Sequence, residues 1–121
     1  MKIQESAENY LEAILMIQQQ KGTCRSIDVA QFLEFSKPSV SRAMSLLREN
    51  GYVVMDEGGL LNLTDSGREI AERIFERHEL LTEWLTGIGV CPETAQADAC
   101  RIEHVISSET FRCIKAHIAN R

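Results

Sequence analysis

Apolar residues recur at a helical interval along the first twenty positions. Ala7, Leu11, Ile14 and Leu15 fall at i, i+4, i+7 and i+8, which predicts one stripe of a helix over residues 5 to 20, with Glu8, Asn9 and Glu12 off the stripe. Lys21-Gly22 ends it. A short second helix is expected from Ser26 to Leu33, with Ser26 as its N-cap and Asp28 in the first turn, where a carboxylate favours the helix dipole. After the tight connection Glu34-Phe35-Ser36-Lys37, Pro38 fits the first turn of a third helix, because its missing N–H would go unpaired there in any case. Val40, Ala43, Met44 and Leu47 then repeat at i, i+3, i+4 and i+7, and Asn50-Gly51 closes the segment.

The period then changes. Tyr52-Val53-Val54-Met55 and Leu60-Leu61-Asn62-Leu63 are two β-prone runs around Asp56-Glu57-Gly58-Gly59, which predicts a small hairpin. Thr64 or Asp65 can cap a long helix to about residue 86, with a stripe through Ile70, Ile74, His78 or Arg77, Leu81 and Leu85. Gly87 and Gly89 break it, Pro92 starts another helix, and Ser107-Ser108 interrupt that one before a last helix carrying Phe111, Ile114 and Ile118. The fold class expected is mostly α. It comprises an N-terminal winged helix-turn-helix over residues 1 to 64 and a helical part over residues 65 to 121.

Composition narrows the setting. At 121 residues and 44% hydrophobic content the chain can bury one core, or two small lobes. No apolar run approaches the ~18 residues of a membrane span, and the start Met1-Lys2-Ile3-Gln4-Glu5 turns polar at once, so a cytoplasmic protein with no membrane partner is expected. Cys24, Cys91, Cys100 and Cys113 form no C-x-x-C pair and read as free thiols. The net charge of −5 argues mildly against a nucleic-acid partner, but it hides a gradient. Residues 21 to 50 hold five basic and three acidic side chains, whereas residues 51 to 121 hold seven and twelve, so an anionic polymer would meet the earlier segment.

That segment is where helix, tight turn, helix and hairpin follow in order, and in such a motif the second helix of the pair enters the major groove. If Val40, Ala43, Met44 and Leu47 face the core, the opposite side presents Pro38, Arg42 and Ser45, flanked by Ser39 and Ser41. Small hydroxyls allow close approach to base edges, Arg42 can donate two hydrogen bonds to guanine, and Lys37 can meet phosphate. Ser36, Lys37, Pro38, Ser39, Ser41 and Arg42 are therefore the candidate contacts to a double-stranded DNA operator. A solvated polar face would look the same in isolation; the order of the elements is what shifts the balance. Asp56-Glu57 at the hairpin tip would repel phosphate, so the wing is expected to pack against the helices and attract little.

A second constellation lies in the helix after Pro92. Cys100, Glu103 and His104 stand at i, i+3 and i+4, so a thiol, a carboxylate and an imidazole can share one face and converge on one ion. Iron and manganese take more ligands than three, so further donors must come from elsewhere. His78 lies on an apolar stripe, where a core histidine bonded to a carbonyl is the plainer reading. Glu12, with Asn9 three positions before it, lies off the first stripe, where a solvated polar face is the plainer reading.

Five segments in order resemble one family. They are Glu8-Asn9-Tyr10-Leu11-Glu12-Ala13-Ile14, Ser36-Lys37-Pro38-Ser39-Val40-Ser41, Leu63-Thr64-x-x-Gly67, Arg77-His78-Glu79-Leu80-Leu81 and Cys100-Arg101-Ile102-Glu103-His104. The chain thus resembles the diphtheria-toxin-repressor and manganese-transport-regulator family over nearly its whole length. The resemblance implies a winged-helix DNA-binding part, a helical dimerisation part, and metal ligands at Asn9, Glu12, His78, Cys100, Glu103 and His104. Position 9 is usually Met in the iron-type branch and Asp in the manganese-type branch. Asn9 matches neither and offers only a neutral amide oxygen. Cys100 agrees with the iron-type branch and Glu12 with the manganese-type one. Thr82 and Gln96 stand where the iron-type branch's extra metal site needs an acid and a His, so that site is expected to be altered or absent, and no residues remain after 121 for the SH3-like domain of longer members.

The expectation is a homodimeric regulator, not an enzyme, that represses metal-uptake genes when a divalent transition metal binds, with no organic cofactor. A thiolate with imidazoles favours iron(II), with manganese(II) as the harder alternative. Leu80, Trp84 and Ile88 form a second stripe suited to dimerisation. Other inputs fit the same residues: a metal-independent regulator sensing oxidation through Cys100 or Cys91, or a purely structural metal site. An enzyme pairing Cys100 with His104 is the poorest fit, because one helix offers no oxyanion site or orienting third group.

Overall fold

The computed structural model describes residues 5–120. Its elements are α1 (Glu5–Lys21), α2 (Ser26–Leu33), α3 (Lys37–Glu49), β1 (Val53–Met55), β2 (Leu61–Leu63), α4 (Asp65–Gly87), α5 (Pro92–Val105) and α6 (Ser108–Ala119). They group into two compact units divided between Glu72 and Arg73, inside α4.

In the first unit α1 packs against α2, α3 and β2. Its buried face is wider than one stripe. Tyr10, Leu11, Ala13, Ile14, Leu15 and Ile17 are all buried, and so are Glu8 and Glu12, at 9% and 4% exposure. The solvated polar face that is the plainer reading for Glu12 is therefore not observed. Helix α2 also starts differently from expectation. Ser26 is its first residue, and the cap is Arg25, whose backbone is extended because it bridges to Leu60. The Asp28 carboxylate accepts the Arg25 N–H at 2.9 Å and the Lys21 ammonium at 2.8 Å. The Lys21 hydrogen bond, foremost, holds the Asp28 carboxyl below its ordinary value.

Helix α3 follows its sequence closely. The Ser36 side chain caps it by accepting the Ser39 N–H at 3.3 Å, Pro38 lies in the first turn, and Val40, Met44 and Leu47 are buried. In the hairpin, Val53 pairs with Leu63, Val54 with Asn62 and Met55 with Leu61. Val53 and Leu61 point into the core, and the Gln18 amide donates to the Leu61 carbonyl at 3.1 Å. The Leu61 N–H in turn donates to the Cys24 carbonyl at 2.8 Å, so the segment before α2 and the wing are hydrogen-bonded together. Thr64 caps α4, accepting the Gly67 N–H at 3.1 Å while its own hydroxyl donates to the Gly51 carbonyl at 2.6 Å. Gly67 lies so close to the Tyr52 carbonyl that a Cβ there would sit 2.0 Å from its oxygen.

In the second unit Ile74, Leu81, Ala95, Ala99 and Phe111 are buried, and so are two ionisable residues, Arg77 and Glu103. The small Ala95 and Ala99 sit one turn apart on the buried face of α5. The break at Ser107-Ser108 is present, with the Ser107 hydroxyl capping α6 through the Thr110 N–H at 3.1 Å. Along the second stripe Leu80 and Trp84 are half-buried, and Ile88 is 60% exposed.

Candidate metal centre and DNA-binding face

The first turns of α3 present Lys37, Pro38, Ser41 and Arg42 to solvent, with Ser36 exposed at the cap. Ser39 is half-buried and accepts a hydrogen bond from the Ser36 hydroxyl at 2.8 Å, so it braces the cap. Ser26 and Ile27 at the start of α2 join Lys37 and Ser41 around a hollow of about 280 Å³. Ile27 was not singled out from the sequence. An exposed β-branched residue in a first helical turn is the only signal it gives. At the wing tip the Asp56 carboxylate is engaged by the Leu60 N–H at 2.9 Å, and the Arg25 guanidinium donates to the Gly58 carbonyl. The acidic tip is thus accompanied by the Arg25 cation from the segment before α2.

The donors of α5 do converge. One ligating atom each from Cys100, Glu103 and His104 lies within 4.8 Å of the others. Helix α4 adds His78, whose Nδ1 is 2.9 Å from Glu103 Oε2, and His104 Nε2 is 3.4 Å from Glu103 Oε1. The Glu103 side chain is wholly buried, and among the described residues its Oε1 accepts no hydrogen bond. This Nδ1–carboxylate contact between His78 and Glu103 fixes the orientation of the His78 ring. Asn9 and Glu12 belong to the first unit, where Asn9 is half-buried on α1. Thr82 is half-buried and Gln96 exposed, and neither offers an acidic or imidazole donor.

A wholly buried carboxylate with an unsatisfied oxygen is costly unless a cation is near. A thiol, a carboxylate and two imidazoles form a donor set for a first-row divalent metal, so these residues fit one. The other cysteines differ sharply. Cys24 is buried, and burial pushes its thiol from 9.0 to about 12, whereas Cys91 is exposed at the start of α5 and the Thr94 hydroxyl at 3.2 Å pulls its thiol below the ordinary value. Limited labelling of the native protein with iodoacetamide at neutral pH should modify Cys91 first and Cys24 last, as read by peptide mass spectrometry. The sign of the Cys24 shift also predicts alkaline loss of stability. The unfolded thiol ionises near 9.0 and the folded one near 12, so stability falls as pH rises through that window, and Cys24→Ala should flatten the slope.

The sequence matches the iron dependent repressor N-terminal DNA binding domain over residues 2–59, and the iron dependent repressor metal binding and dimerisation domain over residues 64–121. The chain belongs to the iron-dependent repressor family. Among curated relatives of this repressor, the HTH-type transcriptional regulator MntR of Geobacillus kaustophilus is 37% identical over 102 residues, covering 84% of this chain and 72% of the relative. The MntR of Bacillus subtilis is 36% identical over the same shares. Among solved structures, a manganese-dependent transcriptional repressor in complex with manganese is 29% identical with a TM-score of 0.84, over 93% of this chain and 52% of that one. The T. acidophilum IdeR structure is 25% identical with a TM-score of 0.82, over 98% and 55%. This repressor thus spans about half the length of those two solved chains. It is a metal-dependent, DNA-binding transcriptional regulator whose later part dimerises. Among its described residues no helix is long and apolar enough to cross a membrane.

Proposed function

We propose that this repressor silences metal-uptake genes in the cytoplasm when a divalent metal ion binds, residues 1–64 reading the operator and residues 65–121 binding metal and pairing two copies. The observation that carries the metal reading is the buried Glu103 carboxylate, flanked by His78 and His104 with Cys100 in reach. His78, Cys100, Glu103 and His104 are assigned as ligands on this geometry. Glu12 and Asn9 are assigned on donor type and, for Glu12, on burial. Manganese(II) is placed ahead of iron(II). The softness of Cys100 favours iron, but the related repressor solved with manganese, and the carboxylate and imidazole donors, favour the harder ion.

Bound at these residues, the metal supplies positive charge to an anionic, buried donor set. Cys100 must give up its proton to ligate, and both imidazoles must be neutral, so binding releases protons and weakens as pH falls. The Glu103 carboxylate, 2.9 Å from His78 Nδ1, holds the His78 ring in place within the donor set.

Fluorescence anisotropy with operator DNA under anaerobic, reducing conditions tests the reading by titrating manganese(II), iron(II), cobalt(II) and zinc(II). Tight binding that needs metal, with manganese(II) effective, is expected; equal affinity with and without metal overturns it. On the DNA side, Arg42→Ala should cost about 1–3 kcal/mol of affinity and relax sequence preference, while Lys37→Ala should weaken all sequences alike and lower the salt slope by about one. Both are measured on a set of single-base operator variants.

The exposed, acidified Cys91 thiol favours a second reading, oxidative control. Peroxide should then release DNA from the metal-loaded wild type and leave Cys91→Ser bound. Equal responses sink that reading.

A further inference from the structure

Arg77 is buried beside the metal donors, and its guanidinium reaches the end of α5 and the start of α6. One nitrogen donates to the Glu103 carbonyl at 3.1 Å and to the Ile106 carbonyl at 3.0 Å, and another to the Ser108 hydroxyl at 3.4 Å. The same group lies over the Phe111 ring, 5.4 Å from its centroid. Glu103 and His104 stand in the last turn of α5, which ends at Val105. The carbonyl groups of a last helical turn have no partners within the helix, and such turns fray. Two metal donors therefore sit where a helix holds its backbone least firmly.

We infer that Arg77 is a positioning residue for the metal centre: by holding the carbonyls around the last turn of α5 and the first residue of α6, it fixes Glu103 and His104 against His78. This rests on the metal reading above. Successive residues of α4 take hold of Glu103 at two points, Arg77 at its carbonyl and His78 at its carboxylate, so a slip of α5 along α4 breaks both contacts at once. The planar guanidinium suits three acceptors in different directions, which a lysine ammonium on a flexible stem does not reproduce. A ligand set on a frayed turn spends binding energy on ordering itself; held in advance, it does not.

Cobalt(II) titration of the full chain tests this, with thiolate-to-cobalt charge-transfer absorption reporting Cys100 and hydrogen exchange reporting residues 103–106. Arg77→Met should lower cobalt(II) affinity by about 10- to 100-fold. Its charge-transfer band at saturation should weaken and exchange of the last α5 turn should speed up, and Arg77→Lys should restore these only in part. Folded Arg77→Met with wild-type affinity and spectrum would leave Arg77 merely structural and overturn the inference. If Arg77→Met does not fold, Ser108→Ala decides: it removes one of the three acceptors, a smaller loss of affinity supports the inference, and no loss overturns it. A wild type that binds no cobalt(II) overturns the metal reading itself, and the inference with it.

Discussion

Glu103→Gln is expected to abolish metal-dependent DNA binding while leaving the metal-free protein as stable as the wild type, or more so. The two effects have opposite signs because one feature causes both. Glu103 is wholly buried and, among the described residues, its Oε1 accepts no hydrogen bond, so the folded apoprotein carries the desolvation of a carboxylate that its neighbours only partly offset. Glutamine has nearly the same shape, and its amide can still hydrogen-bond His78 Nδ1. What it lacks is the charge that would hold a divalent ion. Loss of groups that merely orient a ligand typically lowers metal affinity by about 10- to 100-fold, so loss of Glu103 as the proposed ligand should exceed roughly 100-fold. Urea unfolding with and without manganese(II), beside anisotropy on operator DNA, measures both sides. A metal-free Glu103→Gln protein destabilised by about 3–5 kcal/mol, the loss seen when a buried ion pair is broken, would make the carboxylate a structural partner of His78.

The second large effect involves none of the candidate donors. Gly67→Ala should destabilise the chain by more than about 3 kcal/mol, because overpacking against a backbone atom cannot be relieved by a side-chain rotation. The added Cβ would meet the Tyr52 carbonyl oxygen at 2.0 Å, and that oxygen also accepts the Thr64 N–H at 3.1 Å, so the start of α4 and the start of the hairpin would have to part. A melting temperature lower by roughly 10 °C is the expected circular-dichroism result. Gly58→Ala is the matched control, since its Cβ would meet only Asp56 Oδ1 at 3.4 Å. Equal melting temperatures for the two variants would show that the hairpin adjusts.

What the sequence disclosed was set by how local each feature is. Helix α3 could be read almost whole because a Ser cap, a Pro in the first turn and a period of 3.6 are all written within thirteen residues. The cap of α2 was misplaced by one residue because the extended backbone of Arg25 comes from its pairing with Leu60, thirty-five positions away. The burial of Glu8 and Glu12 was hidden for a similar reason. A stripe of apolar residues shows which face of a helix must be covered, and says nothing of polar faces that neighbours cover as well. Among the donors, the trio on α5 followed from helical spacing alone. Its meeting with His78 depends on the packing of α4 against α5, which the sequence suggested only through a resemblance. Arg77 and His78 were rivals for one position on the stripe of α4; the structure buries Arg77 and brings the half-buried His78 to Glu103.

Helix α3 is fastened by its cap and by Val40, Met44 and Leu47, while Lys37, Pro38, Ser41, Arg42 and Ser45 make no contribution to that core. Such a surface can drift in evolution without a folding penalty and without touching the residues that sense the ion. Relatives that share the sensing chemistry of this chain therefore need not share its operator, and a regulon inferred by borrowing a relative's DNA sequence should be tested base by base at Arg42 first.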